Sequence, residues 1–274
     1  MAFKVKFWGV RGSIACPGAN HIQYGGNTSC LEIACGGERI IFDAGTGMRN
    51  LGHWLLRKNI KRATILMSHT HWDHISGFPF FSPAFHPEYE FEIMAGHLRS
   101  DLTIRNVFSG QMTHPFFPVP LEVMNAKVNY TDFKAGDSFA LSPRIFVKTA
   151  MLNHPDGATG YRIEHRGKSV CYVTDTEHII GKPDQNILAL IEGADLVIYD
   201  STYTDKEFPA KIGWGHSTWQ EGVRLSKAAN VKSLAIFHHD PEHEDRFLDE
   251  LEAEVRNTWS GAFLAREHSR LNLL

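Results

Sequence analysis

No C-x-x-C pair occurs in the 274 residues, and the four cysteines present, Cys16, Cys30, Cys35 and Cys171, are irregularly spaced. Neither a disulfide framework nor a thiolate zinc site is suggested by that pattern, and the thiols are expected to be reduced and mostly buried. Long apolar runs are missing as well. No window approaches the roughly eighteen uninterrupted apolar residues of a membrane span, and no basic start leads into an apolar stretch at the beginning of the chain. A cytoplasmic protein with no membrane partner is the expectation. Charge of one sign is also lacking: 28 basic and 31 acidic side chains leave a net charge of −3, with no strongly basic run. Such a surface gives no electrostatic footprint for a long polyanion, so no large nucleic acid is expected as a partner. Without a repeat, a low-complexity tract or a linker, residues 1–274 are expected to form one domain, and 43% apolar residues suffice for its core.

What is present alternates first like β-structure. Residues 3–8, 29–35 and 39–43 have strand character, with Gly36-Gly37 turning the last two into a hairpin. Leu51, Leu55 and Leu56 then fall at helical spacing within residues 48–58, and the apolar run 63–67 follows. Residues 78–135, rich in Phe and Pro, suggest an aromatic lid or loop region with one helix near 97–108. Strands are expected again at 144–151, 161–165, 169–173, 196–199 and 234–237, with helices at 218–229 and 242–257. This order fits an α/β four-layer αββα sandwich, two mixed β-sheets face to face and flanked by helices.

Histidine is plentiful, 16 in all, and three fall in His69-Thr-His71-Trp-Asp73-His74, directly after the apolar run 63–67. A strand end is where a rigid element presents side chains. Imidazole with carboxylate suits zinc, manganese or iron. In an extended stretch His69 and His71 point the same way, while Asp73 and His74 follow as the chain turns, so two neighbouring metals fit better than one. Further ligands should come from other strand ends, and three candidates have the same form, an apolar run followed by turn residues: His154, Asp175, and His238 or His239.

The run HTHWDH, with the spaced His154, Asp175 and His238, resembles the metallo-β-lactamase fold superfamily, whose signature is H-x-H-x-D-H. Asp200-Ser-Thr-Tyr203 followed by Gly215-His216-Ser217-Thr218 is similar to the ribonuclease Z and phosphodiesterase branch. The resemblance implies that His69, His71 and His154 hold one divalent ion and Asp73, His74 and His238 the other, with Asp175 bridging. The distance from His216 to the last histidine favours His238 over His239. Asp43 matches an acid that lies beneath the cluster and orients a ligand imidazole; an ordinary turn aspartate before glycine is the alternative. Two metals sharing a water would supply hydroxide as nucleophile. Asp73 would orient or deprotonate that water and His216 would protonate the leaving oxygen, although His216 could instead merely neighbour the N-cap of the next helix. The branch is also commonly dimeric, so a homodimer is a further expectation.

Two departures shape the substrate. The tRNA-processing members carry a basic arm, whereas the interval between His154 and Asp175 is a compact hairpin, residues 158–174. A small phosphodiester (cyclic nucleotide, cyclic phosphate or short oligonucleotide) is therefore expected. A carboxylic ester, thioester or lactam hydrolase, and a non-catalytic metal-binding partner protein, are the alternatives. Trp8-Gly-Val-Arg-Gly-Ser13 resembles a group of small bacterial proteins of this branch. Phe78, Phe81, Phe116 and Phe117 could stack a base or simply pack, and His114 and His243 are further candidate substrate contacts.

Overall fold

The structure, a computed structural model, describes residues 3–99 and 101–274. In chain order the elements are β1 (Phe3–Gly9), β2 (Cys30–Cys35), β3 (Glu38–Phe42), α1 (Gly47–Lys58), β4 (Arg62–Met67), α2 (Trp72–Ile75), β5 (Glu90–Ala95), α3 (Ile104–Gln111) and β6 (Lys127–Asp132). The second half contributes β7 (Ser138–Ser142), β8 (Ile145–Leu152), β9 (Ala158–His165), β10 (Lys168–Val173), α4 (Gln185–Ile191), β11 (Leu196–Asp200), α5 (Trp219–Ala228), β12 (Leu234–Phe237), α6 (Asp245–Thr258), β13 (Ala262–Leu264) and β14 (Arg270–Asn272). Two mixed seven-stranded sheets result, ordered β14-β1-β2-β3-β4-β5-β6 and β13-β12-β11-β10-β9-β8-β7.

Local chemistry sets the connections. Gly36 and Gly37, at φ +60° and +101°, make the two-residue turn with both φ values positive that matches the twist of a hairpin. Leu31 thereby pairs with Phe42 and Ile33 with Ile40. Between β9 and β10 the turn is Arg166-Gly167, so the interval before Asp175 is indeed a short hairpin.

The inner faces of the sheets meet through Phe7, Leu31, Phe42 and Leu66 on one side and Tyr161, Tyr172, Ile198 and Phe237 on the other, all fully buried. Phe42 lies 4.9 Å from Tyr172 and 5.3 Å from Tyr161 between ring centroids. Burying each such side chain stabilises by about 1.5–3 kcal/mol relative to exposure. Outside, α1 and α3 cover the first sheet through Met48, Leu51, Leu55, Ile104 and Phe108, and α4, α5 and α6 cover the second through Ile187, Trp219, Val223 and Leu248. The fold is the αββα sandwich that the order of elements implied. No helix among the described residues is long and apolar enough to cross a membrane.

The stretch 78–135 is not a lid. Two parallel strands, β5 and β6, extend the first sheet there. Phe78 and Phe81 are buried, Phe78 against Phe108 at 3.9 Å and Phe81 against Phe91 at 4.9 Å. Packing explains those two rings, while Phe80 and Phe116 are exposed. The helix begins later than residue 97, because Thr103 caps it by accepting from the Asn106 N–H; Ser100, within the expected helix, lies outside the described residues.

Candidate metal centre

The cluster forms where strands of both sheets end. From β4 the chain enters Ser68 and His69, His71 stays extended, and the single turn α2 folds Asp73 and His74 back inward. His154 follows β8, Asp175 follows β10 and His238 follows β12. Asp43 (φ +58°), Asp175 (φ +53°) and His238 (φ +63°) all adopt left-handed conformations just past a strand. Side chains other than glycine are strained there, and such strain gathers at functional sites.

Two groups of ligand-type atoms result. His71 Nδ1 lies 3.0 Å from His154 Nε2, and His69 belongs to the same group. In the other group His74 Nε2 and His238 Nε2 are 3.3 Å apart, each 3.2 Å from Asp73 Oδ2. Asp175 faces both: its Oδ2 is 3.6 Å from His69 Nε2 and 3.8 Å from His154 Nε2, while its Oδ1 is 3.3 Å from both His74 Nε2 and His238 Nε2.

Partners behind the rings decide which nitrogen faces inward. His154 donates Nδ1–H to the Gly215 carbonyl at 2.7 Å, leaving Nε2 with a lone pair. His74 donates Nδ1–H to Asp43 Oδ2 at 2.8 Å. His238 Nδ1 contacts Thr202 Oγ1 at 3.0 Å, and that hydroxyl donates in turn to Asp200 at 2.7 Å. His69 Nδ1 meets Ser68 Oγ at 3.1 Å, and its Nε2 is buried with no hydrogen-bond partner. A buried lone pair without a partner is costly, and a divalent ion is what this nitrogen and carboxylate set would satisfy.

The electrostatics agree. Burial, reinforced by neighbouring histidines, holds His69 well below the ordinary imidazole range, and burial lowers His71 and His154 too, so all three favour the neutral, ligating form. Burial opposes ionisation of Asp73 and Asp175, yet surrounding imidazoles, His74 for the first and His238 with His74 for the second, hold both well below the carboxylate range. For His74 burial opposes charge, but Asp73, Asp175 and Asp43 outweigh it and raise the ring well above its usual value.

Asp43 is no ordinary turn residue. It accepts from the Ser68 N–H (2.7 Å), Ser68 Oγ (2.8 Å), His74 Nδ1 and, across the sheets, the Tyr172 hydroxyl (2.7 Å). His216 stacks 4.9 Å from His238 between ring centroids and donates Nδ1–H to Asp200 Oδ2 at 3.0 Å. Burial opposes its charge, but Asp200 raises it to about 9. The cap of α5 is a separate residue, Thr218, which accepts from the Glu221 N–H.

Other candidates fall elsewhere. His239 turns away, donating Nε2–H to the Ala265 carbonyl at 2.9 Å, and burial lowers it to about 3. His243 pairs with Glu207 at 2.9 Å, and His114 is exposed; neither belongs to the ligand-type groups.

Residues 10–13 were not assigned a role on sequence grounds. Arg11 is fully buried and donates from Nε to the Gly25 carbonyl and from Nη1 to the carbonyls of Asp240 and His243. The Gly12 N–H bonds the His239 carbonyl, and the Ser13 N–H donates to Asp73 Oδ2 at 2.8 Å. A Cβ at Gly12 would stand 2.4 Å from the His238 ring. The roles of Gly12 and Ser13 use backbone atoms and close approach, which no side-chain pattern reveals. Asp200 did carry a signal, since it ends an apolar run just as Asp175 follows one. Gly12→Ala should displace His238 and lower metal affinity by about 10–100-fold, with the loss confined to the Asp73/His74/His238 half; metal titration followed calorimetrically checks this, and an unchanged titration would contradict it.

Two stacked mixed sheets between helices, with a buried histidine and carboxylate cluster at their strand ends, define a metal-dependent hydrolase. The chain belongs to the beta-lactamase superfamily: the family model for that domain matches residues 38–239, from the start of β3 through the end of the cluster. A ribonuclease Z of Bradyrhizobium is 24% identical over 99% of this chain and 100% of its own length. A ribonuclease Z of Brevibacillus brevis is 34% identical over a shorter region, 36% of this chain and 31% of the relative. Among solved structures, the metallo-beta-lactamase fold protein YhfI of Bacillus subtilis superposes with a TM-score of 0.73 at 19% identity, covering 98% of each chain.

Proposed function

We propose that this protein is a dinuclear metal-dependent phosphodiesterase acting on a small phosphodiester. The observation that carries the dinuclear reading is Asp175, whose two carboxylate oxygens face different groups of histidines. His69, His71 and His154 would hold one ion, Asp73, His74 and His238 the other, and Asp175 would be shared. Zinc and manganese suit this donor set, and iron is compatible with it. Two such ions, when bound, lower the pKa of a water and neutralise charge on a phosphate under attack.

The chain's own groups perform the rest. Asp73, fixed by the Ser13 N–H, orients or deprotonates the attacking water. His216, held by Asp200 through Nδ1 and charged at neutral pH, keeps Nε2 for the departing oxygen, which leaves as a stronger base than it was as an ester and needs the proton. The small-substrate reading rests on the short turn between β9 and β10 and on the net charge of −3. Its rival is RNA, because the relatives are named ribonucleases.

The test is hydrolysis of bis(p-nitrophenyl) phosphate by metal-stripped protein with manganese or zinc added back, beside nitrocefin and a p-nitrophenyl ester. Turnover of the diester alone, restored by metal, is expected. Turnover of only the lactam or ester would move the reaction to acyl transfer, and a chain that takes up no metal would be a binding protein.

A further inference from the structure

A cavity of about 300 Å³ opens directly beside the first group of histidines, with His69 and His71 in its wall and Pro155, next to His154, at its edge. The proposed reaction does not use it. Its remaining surface comes from the segment following β5, the first turn of α3 and the turn between β8 and β9. Leu102 (49% exposed), Val107 and Pro155 supply apolar surface. Its formal charge is the informative feature. Two carboxylates, Asp101 and Asp156, line it against one guanidinium, Arg99, and that cation already stands 3.9 Å from Asp156.

Beyond the histidine wall, a phosphate of a longer strand would meet two carboxylates against a single guanidinium. Carboxylates beside apolar walls instead suit a neutral group that has flat apolar faces and carries hydroxyl or amide N–H donors. The volume accommodates one such group. A nucleoside attached to a phosphate at the metal centre is a group of this kind. We infer that this cavity is the nucleoside subsite, and that the substrate carries a single base and sugar on this side of the scissile phosphate with no further phosphate beyond them. The inference rests on the phosphodiesterase reading and narrows it.

The test compares thymidine 5′-(p-nitrophenyl phosphate), its 3′-phosphorylated derivative and methyl p-nitrophenyl phosphate on metal-loaded protein. The thymidine ester should exceed the methyl ester in kcat/KM by about tenfold or more, chiefly through KM, and the added 3′-phosphate should lower kcat/KM. Leu102→Trp, at a half-exposed position, should bring the ratio of thymidine to methyl ester towards one, and Asp156→Asn should reduce the penalty on the 3′-phosphate. A wild-type ratio near one, a ratio untouched by Leu102→Trp, or a preference for the 3′-phosphorylated ester would each overturn the subsite. Calorimetric binding of thymidine 5′-monophosphate against inorganic phosphate separates the two claims. Tighter binding of the nucleotide, lost in Leu102→Trp, with no ester hydrolysed would retain the cavity and reject the phosphodiesterase. Equal binding of the two with hydrolysis intact would do the reverse.

Discussion

Replacing Asp175 by alanine is expected to remove metal and activity together. Its carboxylate faces both groups of histidines from full burial, in a left-handed conformation that places one oxygen towards each. Its loss takes one anionic ligand atom from each half and leaves His74 without one of the carboxylates that stabilise its charge. Turnover should fall to the level of metal-stripped protein, and metal analysis after gel filtration should show well under one equivalent per chain. Retention of about two equivalents would end the bridging assignment. Asp175→Asn keeps the shape and one oxygen; if it recovers one metal and not two, the bridge is confirmed by subtraction.

His216→Ala should behave in the opposite way, keeping its metals and losing turnover by about 10²–10⁴, the range of a general acid. The ring stacks on His238 and lies 3.8 Å from Asp175 Oδ2, but its hydrogen bond goes to Asp200. A leaving group that departs without help should rescue the variant, so the deficit should be smaller for a p-nitrophenyl ester than for an alkyl ester. An equal deficit for both would show that the ring only supports His238. Loss of metal would instead put it among the ligands, a geometry that Asp200, His216 and His238 could also offer.

Much of this centre was legible from residue types at strand ends. HTHWDH, His154, Asp175 and His238 each stand after an apolar run, and the fold converts that shared position into a shared place, because strand ends of both sheets open on one side. The choice between His238 and His239 illustrates the limit. Adjacent residues point oppositely; the spacing from His216 favours His238, and the pairing of His239 with the Ala265 carbonyl shows that His239 is the one turned away from the cluster. The missed strands have equally physical causes. β6 and β7 lie at sheet edges with none of their residues fully buried, β13 and β14 span three residues each, and β5 is preceded by Phe and Pro that punctuate the chain like a loop. Phe78 belongs to the core because Phe108 of α3 packs on it, and Phe81 because Phe91 of β5 does, contacts between distant segments that composition does not encode.

The division of ligands between the sheets has a consequence for how long the protein survives. His69, His71, Asp73 and His74 follow a strand of the first sheet, and His154, Asp175 and His238 follow strands of the second. An ion held between them acts as a rivet through the open end of the sandwich, formed only after both halves have docked and released only when they part. Such binding adds about 2.7 kcal/mol to global stability once free metal exceeds its dissociation constant a hundredfold. Resistance to proteolysis is therefore expected to rise and fall with metal supply, making the cellular half-life of this chain a gauge of the ion it carries.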